Sequence, residues 1–83
     1  MRSRYRPIAC DQYERYELAI MHHQRLRLTW RDDDGIIHIK LVTPTDLRTL
    51  NHEEFLDVTD ALGDSYSIRL DRIQQHEICR HPG

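Results

Sequence analysis

The stretch Leu26-Arg-Leu-Thr-Trp-Arg-Asp-Asp-Asp-Gly-Ile-Ile-His-Ile-Lys-Leu-Val42 decides the fold. Its first half alternates apolar Leu26, Leu28 and Trp30 with Arg27, Thr29 and Arg31, and Arg25 precedes them in phase. That period of two is what a half-buried strand requires. Its second half alternates Ile37, Ile39 and Leu41 with His38, Lys40 and Val42. Between the halves, Asp34-Gly35 has the chemistry of a two-residue type I′ hairpin turn. Closing the chain there sets Trp30 opposite Ile39 and Leu28 opposite Leu41. One face is then apolar, and the other carries Arg25, Arg27, Arg31, His38 and Lys40 as a basic stripe.

Upstream of this hairpin the period is helical. Asp11 suits an N-cap and Glu14 stands three residues later, the spacing of a capping box, so a helix is expected over residues 11–23. At about 100° per residue, Tyr13, Tyr16, Ala19, Ile20 and His23 share one arc, while Glu14, Glu17, Leu18 and Met21 share the opposite one. The first arc is the expected core face. Residues 1–9 read as an extended arm, because Pro7 keeps Arg6 out of helical angles, and Arg2, Arg4 and Arg6 make that arm basic.

Downstream, Pro44 is expected to break the second strand over residues 43–51, with Thr45-Asp46-Leu47 as a short helical turn. A second hairpin follows. Leu56 and Val58 on one strand face Tyr66, Ile68 and Leu70 on the other, which requires an odd loop such as Leu62-Gly63-Asp64 and pairs Val58 with Ile68 and Leu56 with Leu70. Asp71-Arg72 then turns the chain into a last strand over residues 73–78. The expected class is α+β and mainly β: one N-terminal helix, then a small antiparallel barrel of five to six strands of the Sm-like or SH3-like type over residues 24–78. A plain helix-capped sheet is the alternative.

Composition bounds the function classes. With 83 residues, 39% hydrophobic and 31% charged, the chain supports one small core, and residues 1–83 are read as one domain. No apolar run approaches the roughly 20 residues of a membrane span, so a cytoplasmic location is expected. The net charge is −2, yet Asp46, Glu53, Glu54, Asp57, Asp60 and Asp64 gather against Arg48 alone. Such segregation suits a charged partner.

Cys10, His22, His23, Cys79 and His81 are metal-ligand types, but paired Cys-x2-4-Cys or His-x3-5-His spacings are missing, and adjacent helical histidines point apart. No metal or cofactor is therefore expected. Cys10 and Cys79 could form at most one bridge. Cys10, at a helix entry, is read as a small buried residue, with a reactive thiolate as the rival reading. No catalytic elbow or phosphate-cradling glycine loop occurs, so binding rather than catalysis is expected. The basic stripe of Arg25, Arg27, Arg31 and Lys40, with His38, makes RNA one candidate partner, although no aromatic platform accompanies it.

The segment from Tyr5 to His23, Tyr-Arg-Pro-Ile-Ala-Cys-Asp-Gln-Tyr-Glu-Arg-Tyr-Glu-Leu-Ala-Ile-Met-His-His, resembles the opening of the Rho-binding antiterminators of the Rof family. Their pattern is approximately Y-x-P-I-x-C-D-x-Y-[DE]-x-L-E-L-A-x-x-H-H. Asp46-Leu47, Glu54-Phe55-Leu56 and Ile68-Arg-Leu-Asp-Arg-Ile73 extend the resemblance. Tyr16 stands where Leu is usual, and Gln12 where an acid is frequent. The resemblance implies an Sm-like barrel with an N-terminal helix that binds the RNA-binding domain of the hexameric Rho helicase and inhibits Rho-dependent termination. By position, it implies that Asp11, Tyr13, Glu14 and Glu17 meet Rho, and Leu18 and Met21 lie beside them on the helix. A monomer is expected, with Rho as its partner.

Overall fold

The computed structural model describes residues 4–78; Arg2, Cys79 and His81 lie outside them. The decisive stretch does form a hairpin, from β1 (Leu26–Arg31) and the first part of β2 (Ile37–Leu50). Its turn is not the expected one. The Asp32 amide donates to the Ile36 carbonyl (2.9 Å) and the Gly35 amide to the Asp32 carbonyl (3.0 Å), which leaves a three-residue loop with Gly35 at φ 82°. The Asp32 carboxylate fixes this loop by accepting the amides of Asp34 and Ile36, both at 2.9 Å.

An odd loop in place of an even one moves the register by one residue, and a one-residue slip exchanges the two faces. Trp30 therefore pairs with His38, Leu28 with Lys40 and Leu26 with Val42. Ile37, Ile39 and Leu41 are exposed, whereas His38 and Lys40 turn to the side of Trp30 and are half-buried. There His38 stacks on Trp30, ring centroids 5.1 Å apart, and bonds Asp32 at 2.7 Å. Lys40 lies over the Tyr66 ring and 3.8 Å from Asp60.

The second hairpin, β3 (Glu53–Asp60) and β4 (Ser65–Arg69), repeats the same turn with other residues. The Asp60 amide donates to Asp64 (2.9 Å), the Gly63 amide donates to Asp60 (3.1 Å), and the Asp60 carboxylate accepts the amides of Leu62 and Asp64. Leu56 pairs with Ile68 and Val58 with Tyr66, two residues from the expected register. A slip of two preserves the faces, so the inward set is as expected.

Asp32 is held below the usual carboxylate range by His38 and the turn amides. Arg48, aided by Ser67, does the same for Asp57. Burial pushes Asp60 up, but the amides of Asp64 and Leu62, the Tyr66 hydroxyl and Lys40 bring it below the usual value on balance. Carboxyls lowered in the folded state stabilise it fully above the unfolded value of about 3.9, and lose that contribution as pH falls through their folded values. Urea midpoints should thus fall as pH drops below about 4. Asp32→Asn and Asp60→Asn, which keep an acceptor in the turn, should flatten that fall.

β2 does not break at Pro44. It runs for 14 residues, and Pro44, buried opposite Val58, sits beside a bulge between Pro44 and Asp46. A bulge accommodates the missing proline N–H and bends the strand, so no helical turn forms at residues 45–47. The bent strand then pairs with β3 through an Asn51-His52 turn in which both residues have positive φ.

The five strands take the order β4-β3-β2-β1-β5, with β5 (Ile73–Ile78) returning antiparallel to β1. A 3-10 turn (Leu70–Arg72) links β4 to β5, and Arg72 donates to the Asp32 carbonyl at 3.0 Å, tying this corner to the first turn. The expected small antiparallel barrel-like fold behind one helix is what forms.

α1 spans Cys10–Met21, starting one residue before Asp11 and ending two before His23. Ala9 is the N-cap; Asp11 sits inside the first turn and no capping box with Glu14 forms. At the other end His23 adopts φ 51°, the Gln24 amide donates to Ala19 (2.9 Å) and the His23 amide to Ile20 (3.2 Å). This is a Schellman closure with His in the left-handed position. The adjacent histidines thus terminate the helix, and His23, expected in the core arc, is exposed. Tyr16 and Ala19 enter the core with Leu26, Leu28, Trp30, Val42, Leu56, Val58, Ile68, Leu70 and Ile73, while Tyr13 and Ile20 pack at its margin.

Candidate functional site

The outer side of α1 meets the folded-back arm and β3 in a shallow groove of about 440 Å³. Pro7, Ile8, Cys10, Tyr13, Glu14, Glu17 and Glu54 line it. The arm is held there by the Tyr5 hydroxyl, which donates to Glu54 (3.0 Å), and by the Arg6 amide, which donates to Asp71 (3.0 Å). Beneath it Arg69, 5% exposed, bonds Asp71 twice (2.6 and 2.9 Å) and Glu53 (3.3 Å), with the Tyr5 ring 5.8 Å from its guanidinium.

This arrangement sorts the acids of the chain. Arg69 neutralises Glu53 and Asp71, Arg48 neutralises Asp57, and Lys40 stands by Asp60. Glu14, Glu17, Glu54 and Asp46 make no ion pair among the described residues. Their field converges on Tyr13, whose phenol is pushed up by burial first and then by Glu54, Glu17 and Asp46. Burial and Glu54 likewise push Tyr5 up. The groove is therefore a negative surface with an aromatic floor, suited to cationic side chains.

Of the residues singled out on the helix, Tyr13, Glu14 and Glu17 share this groove. Leu18 (51% exposed) and Met21 (71% exposed) continue its rim one turn on. Asp11 is not part of it: it borders a separate depression with Arg15, Gln75 and His76. Cys10 is exposed rather than buried. Glu54, Asp46 and Ile8 were not expected here. They reach Tyr13 only through the fold-back of the arm and the pairing of β3, contacts that no local periodicity reports.

The basic stripe is rearranged. Arg27 and Arg31 keep the exposed face of β1, and Arg25 is exposed just before it. Lys40 and His38 lie on the opposite side, engaged by Asp60 and Asp32. Their places are taken by Ile37, Ile39 and Leu41.

Comparison with known proteins identifies relatives along most of the chain. The family described as "Modulator of Rho-dependent transcription termination (ROF)" matches residues 7–82. The chain is 36% identical over 73 residues to Protein rof of Escherichia coli (strain K12), covering 88% of this chain and 81% of that protein. Protein rof of Shigella flexneri matches with the same identity and coverage. The match takes in the helix and all five strands, and this chain belongs to the Rof family of modulators of Rho-dependent transcription termination.

Proposed function

We propose that the protein binds Rho through the groove of Tyr13, Glu14, Glu17 and Glu54, with Leu18 and Met21 as apolar contacts, and thereby blocks RNA loading. The observation that carries this reading is the set of carboxylates, without ion-pair partners among the described residues, gathered around one aromatic ring. A protein surface that accepts RNA presents Lys and Arg to phosphates. Carboxylates on a preformed helix can take the same Lys and Arg, so inhibitor and RNA exclude one another. Asp11, on another flank, contributes at most the general field. By preventing RNA capture, the protein lets transcription pass Rho-dependent terminators.

The rival reading, an RNA binder using the outer hairpin face, loses two of its cations to internal pairs and gains an apolar row in their place. The groove reading is tested with Glu14→Lys/Glu17→Lys. Both side chains are exposed and neither forms an ion pair among the described residues, so the melting temperature should hardly move. Binding to immobilised Rho should weaken by about 10- to 100-fold, about 1.4 kcal/mol per tenfold, and the wild-type affinity should fall with salt. Wild-type affinity in the double variant would place the interface elsewhere.

A further inference from the structure

The one-residue register of the first hairpin leaves a surface that Rho binding by the helix does not use. Ile37 (43% exposed), Ile39 (66%) and Leu41 (39%) form an apolar row on β2. Across the ladder, Arg31 stands opposite Ile37 and Arg27 opposite Leu41. Neither arginine has an ion-pair partner among the described residues. A row of β-branched and leucine side chains beside Arg27 and Arg31, with Glu77 across from Arg27 on β5, fits nucleic acid poorly, because phosphates satisfy only the cations and no aromatic side chain among the described residues offers a stacking platform there. It fits a surface that is itself both apolar and acidic.

The chain displays such a surface. On α1, Glu14, Glu17, Leu18 and Met21 face outward together, and all four are exposed. We propose that the outer face of the β1–β2 hairpin docks the outer face of α1 of a second copy of this chain. The lengths agree: Glu14 to Met21 spans roughly 10 Å of helix axis, and Arg27 to Arg31 roughly 13 Å of strand. The charges select this pairing over the others. Hairpin against hairpin sets arginines against arginines, and helix against helix sets carboxylates against carboxylates. Only hairpin against helix joins opposite signs and covers both apolar rows. Where both faces of one copy meet both faces of the other about a two-fold axis the contact closes at a dimer, and otherwise it continues from copy to copy. Resting on the Rho reading above, one consequence follows: the self-associated form hides the helix face that Rho takes, and dilution or Rho itself releases it.

Sedimentation of the isolated protein tests the contact without Rho. At low salt the weight-average mass should rise with concentration to that of two chains or more, and return to one chain at about 1 M salt, where screening is nearly complete. Arg27→Glu/Arg31→Glu alone, and Glu14→Arg/Glu17→Arg alone, should each stay monomeric, since each sets like charges across the contact. Mixed in equal amounts, the two variants again join opposite signs at both kinds of contact, and association should return. Unchanged thermal melts of both variants establish that the fold is intact. A wild-type monomer at every concentration overturns the proposal, as does a mixture that stays monomeric. If the wild type is monomeric and Arg27→Glu/Arg31→Glu loses affinity for an oligoribonucleotide, the face belongs to RNA. Failure here leaves the Glu14→Lys/Glu17→Lys test on Rho untouched.

Discussion

Arg69→Ala should destabilise the protein by about 3 kcal/mol, seen as a drop of roughly 12–24 °C in the melting midpoint for a domain of this size. The side chain is 5% exposed and serves two carboxylates, Asp71 and Glu53, whose side chains are themselves only 10% and 17% exposed. Removing the guanidinium leaves both anions in a place from which water is largely excluded, and that penalty exceeds the loss of any single hydrogen bond. The effect extends to the arm. Asp71 also receives the Arg6 amide, and the Tyr5 ring rests against the guanidinium, so the wall of the acidic groove should loosen together with the core. Arg69→Lys should recover little, because one ammonium cannot reproduce the paired bonds to Asp71. The contrast is Arg48→Ala. Arg48 also pairs with a carboxylate, Asp57, but is 44% exposed, so its loss should cost within about 1 kcal/mol. A loss at Arg69 no larger than at Arg48 would show that the buried cluster is not what holds the arm.

How far the sequence discloses this molecule depends on which physical signal is asked to decide. Element types were legible: the helix from its 3.6-residue period, the strands from their alternation, and the final strand and corner at Asp71-Arg72. The first hairpin was not, because both parities of residues 37–42 contain apolar side chains. Hydrophobicity alone chose Ile37, Ile39 and Leu41 for the interior. The deciding feature is instead the Asp32 carboxylate, which accepts two amides and selects a three-residue loop. Asp60 and Gly63 make the same turn, and there the facing apolar residues already require an odd loop, so the faces agree although the register differs by two. Pro44 misled for a related reason. Proline rules describe a regular ladder, while here a bulge absorbs the missing donor and supplies the bend that a small barrel needs.

The site divides along the same line. Glu14, Glu17, Leu18 and Met21 were readable because a helix places them on one face by its period alone. Glu54 and Asp46 were not, because they belong to the site only through tertiary pairing. The Asp46-to-Asp64 acids look alike in sequence, and the fold separates them: Glu53, Asp57 and Asp60 are matched by cations, Asp46 also acts on Arg48, and Glu54 remains to line the groove. Electrostatic character therefore resides less in the count of acids than in which of them the strands bring to an arginine or lysine.

Tyr16→Ala should be the second large loss, about 3–5 kcal/mol, because the side chain is fully buried and joins α1 to the sheet. Its ring meets His76 edge-on at 5.3 Å, Gln12 donates to its hydroxyl at 3.2 Å, and the hydroxyl lies 3.4 Å from His76 Nδ1. Tyr16→Leu, the residue usual in the family pattern, should cost far less, about 1 kcal/mol, since it keeps the apolar contact and forfeits only weak hydrogen bonds. Were leucine as damaging as alanine, the hydroxyl network rather than the packing would anchor the helix. His76 gives the contact a pH dependence. To accept the Tyr16 proton, Nδ1 must be unprotonated, and burial, followed by the charge of Arg15, lowers the His76 pKa in the folded state. The unfolded chain then takes up its proton first, at about 6.5. The stabilising contribution is complete above that pH and is lost as pH falls through the lower folded value. Stability measured between pH 7 and 5 should accordingly decline in the wild type. In His76→Gln, which cannot be protonated, the decline over that interval should flatten, leaving only the carboxylate losses at lower pH.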